Sequence, residues 1–520
     1  MAFLFHMSSH LIPFPSIVTM AVVGLLAIVW ALWYPTTTAC IGDETSASSS
    51  NATTTAICQQ LKSGLGDIIT LPFDAQYATL REESWSATAW KHPNCIALPA
   101  SASDVQKLIG VLVANDISFA IRSGGHSTNP FDANIDIGVL IATDKLNKVT
   151  YDAAVGLASI GPGARWDAVY TALDPYNVTV VGGRVLDVGV GGLILGGGLS
   201  YLSDLYGMAC DNVVSYEIVL ADGSVIEATS SEHSDLFWAL KGGANNFGIV
   251  TKFQSKTYPV KQVWGGVQMF TLDQMPDVLQ AYYEYQSTPN KDLYANLVIN
   301  LAPVNDSVLV TLVYLQPVER PAAYAPFYSL SPVFEQTGFM TLHELQGVFP
   351  ATDIPRWTWY SETFQPNSEL FAHISRVLST APELASISKL HAGSLVATVQ
   401  PINANVALAG QARGGNALGL QPVNQTWFSL NLGWWDEGDD TVAIAAIESL
   451  HAKIKELSKD AGVDLQYIFM NDANAKQPVI ASYSEANVKR LRSVQQVYDP
   501  HLVFQKLVPG GQKTPAAKAT

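Results

Sequence analysis

In the first half of the chain, short apolar runs alternate with amphipathic stretches. Ile96-Ala-Leu-Pro99 is followed by the amphipathic segment Asp104 to Ala114, then by the apolar run Ile117 to Ile121. Apolar positions three and four apart predict a helix in the middle segment, and the flanking runs predict strands. Together they predict a small α+β unit. A second unit, richer in strand signals and glycine, spans roughly Gly138 to Val260. From about Gln262 the pattern changes to strict alternation. Leu293 to Leu301 and Ser307 to Leu315 read as strands of an antiparallel sheet, and amphipathic helices such as Asp440 to Leu457 follow. Glu485 to Gln505 reads as a helix and tail that folds back on the earlier units. Ahead of all this, Ser46 to Thr55 reads as a flexible linker and Leu61 to Trp90 as a helical lead-in. No internal repeat is visible.

The 520 residues are 48% hydrophobic, enough for two or three cored units. A net charge of −16 with only 14% charged residues leaves no basic patch to neutralise phosphates, which argues against a nucleic-acid partner. No Lys, Arg, Asp or Glu precedes Asp43, and Ile17 to Tyr34 is an uncharged run just long enough to span a bilayer. With small residues at Thr37-Thr38-Ala39, residues 1–39 read as a cleaved signal or a retained membrane anchor. Either route leads into the secretory pathway, and a membrane partner follows only if the segment is retained. Sequons at Asn51, Asn177, Asn305 and Asn424 agree with that route. Of the four cysteines, Cys58 and Cys95 are expected to pair in an oxidising compartment, and Cys210, in apolar surroundings, to pack as a small hydrophobe. No metal-ligand spacing occurs, so no metal is expected.

The chemistry concentrates in glycine-rich loops. Arg122-Ser-Gly-Gly-His126-Ser127 closes the apolar run at Ile121. Gly124 and Gly125 let the backbone turn tightly and present bare N–H groups, and His126 stands directly behind them. Val181-Gly-Gly-Arg-Val-Leu-Asp-Val-Gly-Val-Gly-Gly-Leu-Ile-Leu-Gly-Gly-Gly198 follows. It is not a dinucleotide fingerprint, because the third glycine position after Gly189 and Gly191 falls on Ile194. Val219-Leu-Ala-Asp-Gly-Ser224 and Leu236-Phe-Trp-Ala-Leu-Lys-Gly-Gly-Ala-Asn-Asn-Phe-Gly-Ile-Val250 come next.

In order and spacing these motifs resemble the FAD-binding half of the berberine-bridge-enzyme-like flavoproteins, within the vanillyl-alcohol-oxidase superfamily. The resemblance covers about Lys91 to Val260 and returns at Val497-Tyr-Asp-Pro-His-Leu-Val-Phe504. It implies an α+β fold with a two-part PCMH-type FAD-binding domain at 91–260, preceded by a linker and lead-in at 40–90. A substrate domain of antiparallel sheet backed by helices follows at 261–465, and a C-terminal segment, 466–512, packs back on the FAD domain. The implied cofactor is FAD, bonded through its 8α-methyl to His126. Where relatives carry a second, cysteinyl link, this chain has Val185, so a single covalent link is expected. Val188 matches a position that controls oxygen access, and its small side chain points to oxygen as acceptor. Arg122, Ser123, Gly124, Gly125, His126, Ser127, Val188, Gly189, Gly191, Gly192, Gly196, Asn246, Gly248 and Val250 are the implied cofactor-binding set. Gly189, Gly191, Gly192 and Gly196 are expected to admit the pyrophosphate and flavin edge, and Asn246 to Val250 to contact the adenine-side half.

The resemblance breaks at the proton acceptor. Relatives use a glutamate on a substrate-domain strand, or a tyrosine in a Tyr-x-Asn-Tyr motif. Here the strand candidate Ser394 to Pro401 carries Gln400, and the motif region Tyr467-Ile-Phe-Met-Asn471-Asp472 ends in aspartate. Tyr467 and Asp472 are the catalytic candidates, the aspartate only if burial raises its pKa. Trp357, Trp359 and Tyr360 line a planar pocket or fill the core. Arg413 to Leu420 resembles a motif of secreted fungal members. The expected activity is oxidation of a small polyketide or alkaloid-like metabolite, with oxygen as second substrate. An oligosaccharide oxidase, or a flavin-binding protein without turnover, is the alternative.

Overall fold

The computed structural model describes residues 43–260, 262–348 and 353–517. The chain divides into Met1–Ala47 and Ser48–Thr520, and the sheets and the site lie in the second unit. The Ile17 to Tyr34 run and Cys40 fall outside the described residues. Among the described residues, no helix is long and apolar enough to cross a membrane.

Three sheets form. The first is four-stranded: β1 (Ile69–Thr70), β2 (Cys95–Ala97), β3 (Phe119–Arg122) and β4 (Val139–Ala142), in the order β1-β2-β4-β3. β4 is parallel to both neighbours and buried at every position, as its unbroken Val-Leu-Ile-Ala run requires. The expected helix is present as Ala102–Ala114, capped by Ser101 and burying Val105, Leu108, Ile109 and Leu112.

The second sheet comprises β5 (Val149–Asp152), β6 (Leu157–Ile160), β7 (Val178–Val180), β8 (Val213–Val219), β9 (Val225–Thr229) and β10 (Ile249–Pro259). β10 is its central strand, pairing β6, β7 and β8.

The third sheet is antiparallel and seven-stranded: β11 (Val263–Thr271), β12 (Ala295–Ala302), β13 (Ser307–Tyr314), β14 (Phe334–Met340), β15 (Arg356–Phe364), β16 (Ser394–Ile402) and β17 (Gln425–Trp434). Register divides its faces cleanly. Tyr360, Leu430 and Ala397 share one face, with Leu395, Val399, Phe428 and Leu432, and pack under the helices Met275–Ser287, Ser368–Thr380 and Asp440–Asp460. The opposite face carries Trp359, Asn431, Ser429, Thr398 and Gln400, with Ser361 and Thr363. That polar and aromatic face is the one used by the site.

Two expectations about the lead-in fail. Ser46 to Thr55 is part of a helix, Asp43–Leu65. The stretch has no Gly or Pro to break it, and the Thr54 and Thr55 hydroxyls bond carbonyls four residues back. Thr54, Ile57, Cys58 and Leu61 are buried along it, and Cys58 is disulfide-bonded to Cys95 at the start of β2. Conversely, Leu61 to Trp90 is not a continuous helix: Gly66 takes a positive φ of 60° and the chain leaves for β1.

Near the C-terminus the helix Glu485–Tyr498 ends at Asp499, whose carboxylate accepts from Val503 N and Phe504 N. The tail then packs on the first sheet, where Phe119 N donates to Leu507 O at 2.8 Å. Cys210 is buried and free.

Candidate active site

β3 delivers the Arg122–Ser127 loop to a cavity. Its glycines are needed for a reason the sequence does not show. A Cβ on Gly189 would lie 2.3 Å from Gly124 N, and one on Gly124 would lie 2.5 Å from Gly189 Cα. The two loops meet backbone to backbone, and no other residue fits at either position. Ser123 Oγ completes the joint, donating to Pro162 O at 2.6 Å and accepting from Gly191 N at 3.1 Å.

His126 emerges from this joint with its ring stacked on Trp85, centroids 4.5 Å apart and planes 9° from parallel. Trp85 N donates to Gly125 O at 2.9 Å, which ties the Trp85 backbone to the loop. Trp85 also stacks on Trp357, and Trp359 is tilted against His126 at 6.1 Å. Burial among these rings holds the imidazole pKa down at about 4, so His126 is neutral with a free nitrogen lone pair near pH 7.

His126 opens on a cavity of ≈ 350 Å³. One wall is the paired loops, including Val188 and Gly192. At one end stand Asp132, Asn245, Gly511 and Gln512. Trp359, Phe469 and Met470 border it as well, with Arg184 and Asp472. The last two are joined through the third sheet. Arg184 donates to Gln400 Oε1, and Gln400 Nε2 donates to Asp472 Oδ2 at 2.9 Å. A guanidinium only donates and a carboxylate only accepts, so the amide orientation is fixed. Burial raises the Asp472 pKa above the usual carboxylate range, against the opposing pull of Gln400 and Arg184.

Residues 93–229 match the FAD binding domain family. A bifunctional solanapyrone synthase of Alternaria solani is 35% identical over 460 residues, covering 88% of each chain. An FAD-dependent monooxygenase of Arthrobotrys oligospora is 38% identical over 463 residues, covering 87% of this chain and 88% of its own. This chain belongs to the berberine-bridge-enzyme-like FAD-linked oxidoreductases. The solved structure of a berberine-bridge-enzyme-like protein of Physcomitrella patens shares the fold, with a TM-score of 0.73 at 16% identity over 89% of this chain and 100% of that one.

FAD fits the cavity of this oxidoreductase. A Cβ on Gly192 would meet nothing within 4 Å, so the loop wall leaves bare backbone beside open space. Of the expected site residues, Ser123, Gly124, Gly125, His126, Ser127, Val188, Gly189, Gly191, Gly192, Gly248, Val250 and Asp472 all line the cavity.

Four expected site residues stand elsewhere. Arg122 turns away from the cavity: its guanidinium is 1% exposed and bonds Leu80 O and the Glu83 carboxylate, the latter at 2.6 Å. Gly196 packs against the Asn471 amide, 2.5 Å from where its Cβ would lie. Asn246 is fully buried and pins the C-terminal tail, donating to Gln512 O and accepting from Thr514 N. Its neighbour Asn245 faces the cavity instead. Tyr467 lies in the core between Trp427 and Tyr483, where burial drives its phenol pKa far up. Of the aromatic trio, Trp359 lines the cavity, Trp357 backs it through Trp85, and Tyr360 is on the helix-covered face.

The sequence pattern does not single out Trp85, Arg184 or the bonding role of Gln400. Arg184 sits inside the glycine-rich motif itself, four residues before Val188. A basic residue in so apolar a run is the signal that would have found it.

Proposed function

We propose that this FAD-dependent oxidoreductase oxidises a small secondary metabolite and passes the electrons to oxygen, with FAD bonded to His126 alone. The observation that carries the reading is the shared cavity: a neutral, stacked histidine and a bridged carboxylate open on the same space. Bound FAD would supply a two-electron acceptor for a substrate hydride. The chain's residues do the rest. Trp85 and the Gly124–Gly189 joint orient His126 for attachment. Asp472 takes the proton lost from substrate O–H or N–H, its raised pKa bringing it closer to the working pH. Val185 has no thiol for a second link, and Val188 leaves room for oxygen.

Trp359, Phe469, Met470, Leu193 and Val188 give the cavity an apolar and aromatic character, which favours a planar metabolite over a sugar. The Cys58–Cys95 disulfide and the exposed sequons Asn51, Asn177 and Asn305 support passage through the secretory pathway. Asn424 is a poorer acceptor, since its amide nitrogen donates to Gln286 O and its oxygen accepts from Ala404 N.

The deciding experiment is a visible spectrum of purified protein before and after acid precipitation, with peroxide measured during donor screening. Yellow pellets from wild type and colourless pellets from His126→Ala are expected. A wild-type flavin that washes out of the pellet removes the covalent link. Oxygen-18 appearing in product, without peroxide, would replace oxidation by oxygen insertion. Persistent absence of any turnover leaves the non-catalytic alternative.

A further inference from the structure

We infer that Arg184 is the specificity-determining residue of this site and selects substrates bearing a planar oxyanion, a carboxylate or an ionised enol. The inference rests on the reading of the cavity as the flavin-dependent active site. Its starting point is a missing partner. Arg122 and Lys291, both shielded from solvent, each hold a carboxylate, Glu83 at 2.6 Å and Asp204 at 3.3 Å. Among the described residues Arg184 makes no ion pair. Its bond to a side chain goes to the neutral Gln400 amide, and its guanidinium carbon lies 5.7 Å from the Tyr201 ring centroid.

Such a charge, beside an apolar cavity, is costly until something compensates it. Asp472, one side chain away, attracts it through space but forms no direct ion pair with it, because Gln400 stands between them and uses its nitrogen on the carboxylate and its oxygen on the guanidinium. The amide therefore keeps cation and proton acceptor separate and both facing the cavity. A carboxylate at position 400 would close the ion pair and cancel Arg184. Most of the guanidinium's five donors remain available, in the fork geometry that matches a planar oxyanion. Trp359, on the same cavity, has a buried indole N–H with no partner among the described residues.

The arrangement also settles a conflict of charge. An anionic substrate placed next to Asp472 alone would be repelled. With Arg184 holding the oxyanion, the carboxylate can accept a proton from a neighbouring position on the same molecule.

Calorimetric titration of the purified holoenzyme with matched probes tests this. Benzoate is compared with benzamide, and tetronic acid, an acidic enol, with its O-methyl ether. At least one anion should bind about tenfold or more tighter than its neutral partner, as expected for a charge-assisted bond. Which anion wins distinguishes carboxylate from enol. Arg184→Gln should erase the preference at unchanged melting temperature and flavin content, and Arg184→Lys should restore part of it. Equal binding of anions and neutral partners by wild type, or a preference that survives Arg184→Gln, overturns the inference. Loss of flavin from a folded Arg184→Gln protein also overturns it, by assigning the arginine to the cofactor. Failure of the oxidase reading would show separately, as a colourless or peroxide-silent wild type, because the titration reads binding and not turnover.

Discussion

At one place on the cavity Gly124 and Gly189 meet backbone to backbone; at another, Arg184, Gln400 and Asp472 meet side chain to side chain. The first contact admits no added atom and is indifferent to side-chain chemistry. The second depends entirely on which polar groups stand there and tolerates a change of head group without a change of shape. Loop-wall damage should therefore be read in folding and cofactor retention, whereas sheet-wall damage should be read in turnover with the cofactor still in place.

Asp472→Asn is the strongest test of that division. It should lower kcat/KM by about 10²–10⁴, the usual share of a general base, while bound flavin stays at the wild-type level. Because burial raises the Asp472 pKa, the wild-type acid limb should lie above the normal carboxylate range, activity rising as the group deprotonates. The limb should vanish in Asp472→Asn. An unchanged limb, or a variant that loses flavin, would dissolve the distinction.

Gly189→Val attacks the glycine joint. Its Cβ would meet Gly124 N at 2.3 Å, so a loss of about 3 kcal/mol, the upper end for overpacking, is expected. Thermal unfolding and flavin content should fall together, and a stable, fully loaded variant would refute the joint. Trp85→Ala, which removes the His126 stack, worth about 0.5–1.5 kcal/mol beyond the buried area, should lower stability and reduce the acid-stable flavin fraction. Full attachment in this variant would show that the indole does not position the histidine.

The smallest effect is a matter of pH. With the folded imidazole near pKa 4 and the free one at 6.5, unfolded chains take up the proton first. Flavin-free protein should thus lose stability as pH falls from 6.5 toward 4, and this group adds no pH dependence above that window. Flavin attachment should hold level from pH 8 to about 5 and fail near 4. In flavin-free His126→Ala the corresponding part of the stability slope should disappear.

The loop wall was legible because glycine and histidine spacing is a local property, and eleven of the expected cofactor-binding residues do line the cavity. What the spacing could not say is why. Gly124 and Gly189 serve each other before they serve a ligand, and Gly196 serves Asn471. The motif also hid a division of labour: Arg122 faces inward to Glu83, while Arg184, read only as part of the glycine run, faces the cavity. The third sheet was visible as alternation, yet alternation does not say which polar positions converge. Gln400 looked like a lost carboxylate. Only register, with Asp472 arriving from a separate segment, turns it into a bridge. Likewise composition reads the Ser/Thr/Ala stretch as a linker because it is silent about the sheet and disulfide that hold the helix Asp43–Leu65 in place.

The tail that Asn246 pins down has a consequence for biogenesis. Gly511 and Gln512 form one end of the cavity, and Gly511 N bonds Asp132 across 379 positions of sequence. When His126 leaves the ribosome, most of the polypeptide that encloses it has not been made. Closure of that part of the cavity must then await synthesis of Gly511, and chains clipped before it would lack those residues of the cavity lining.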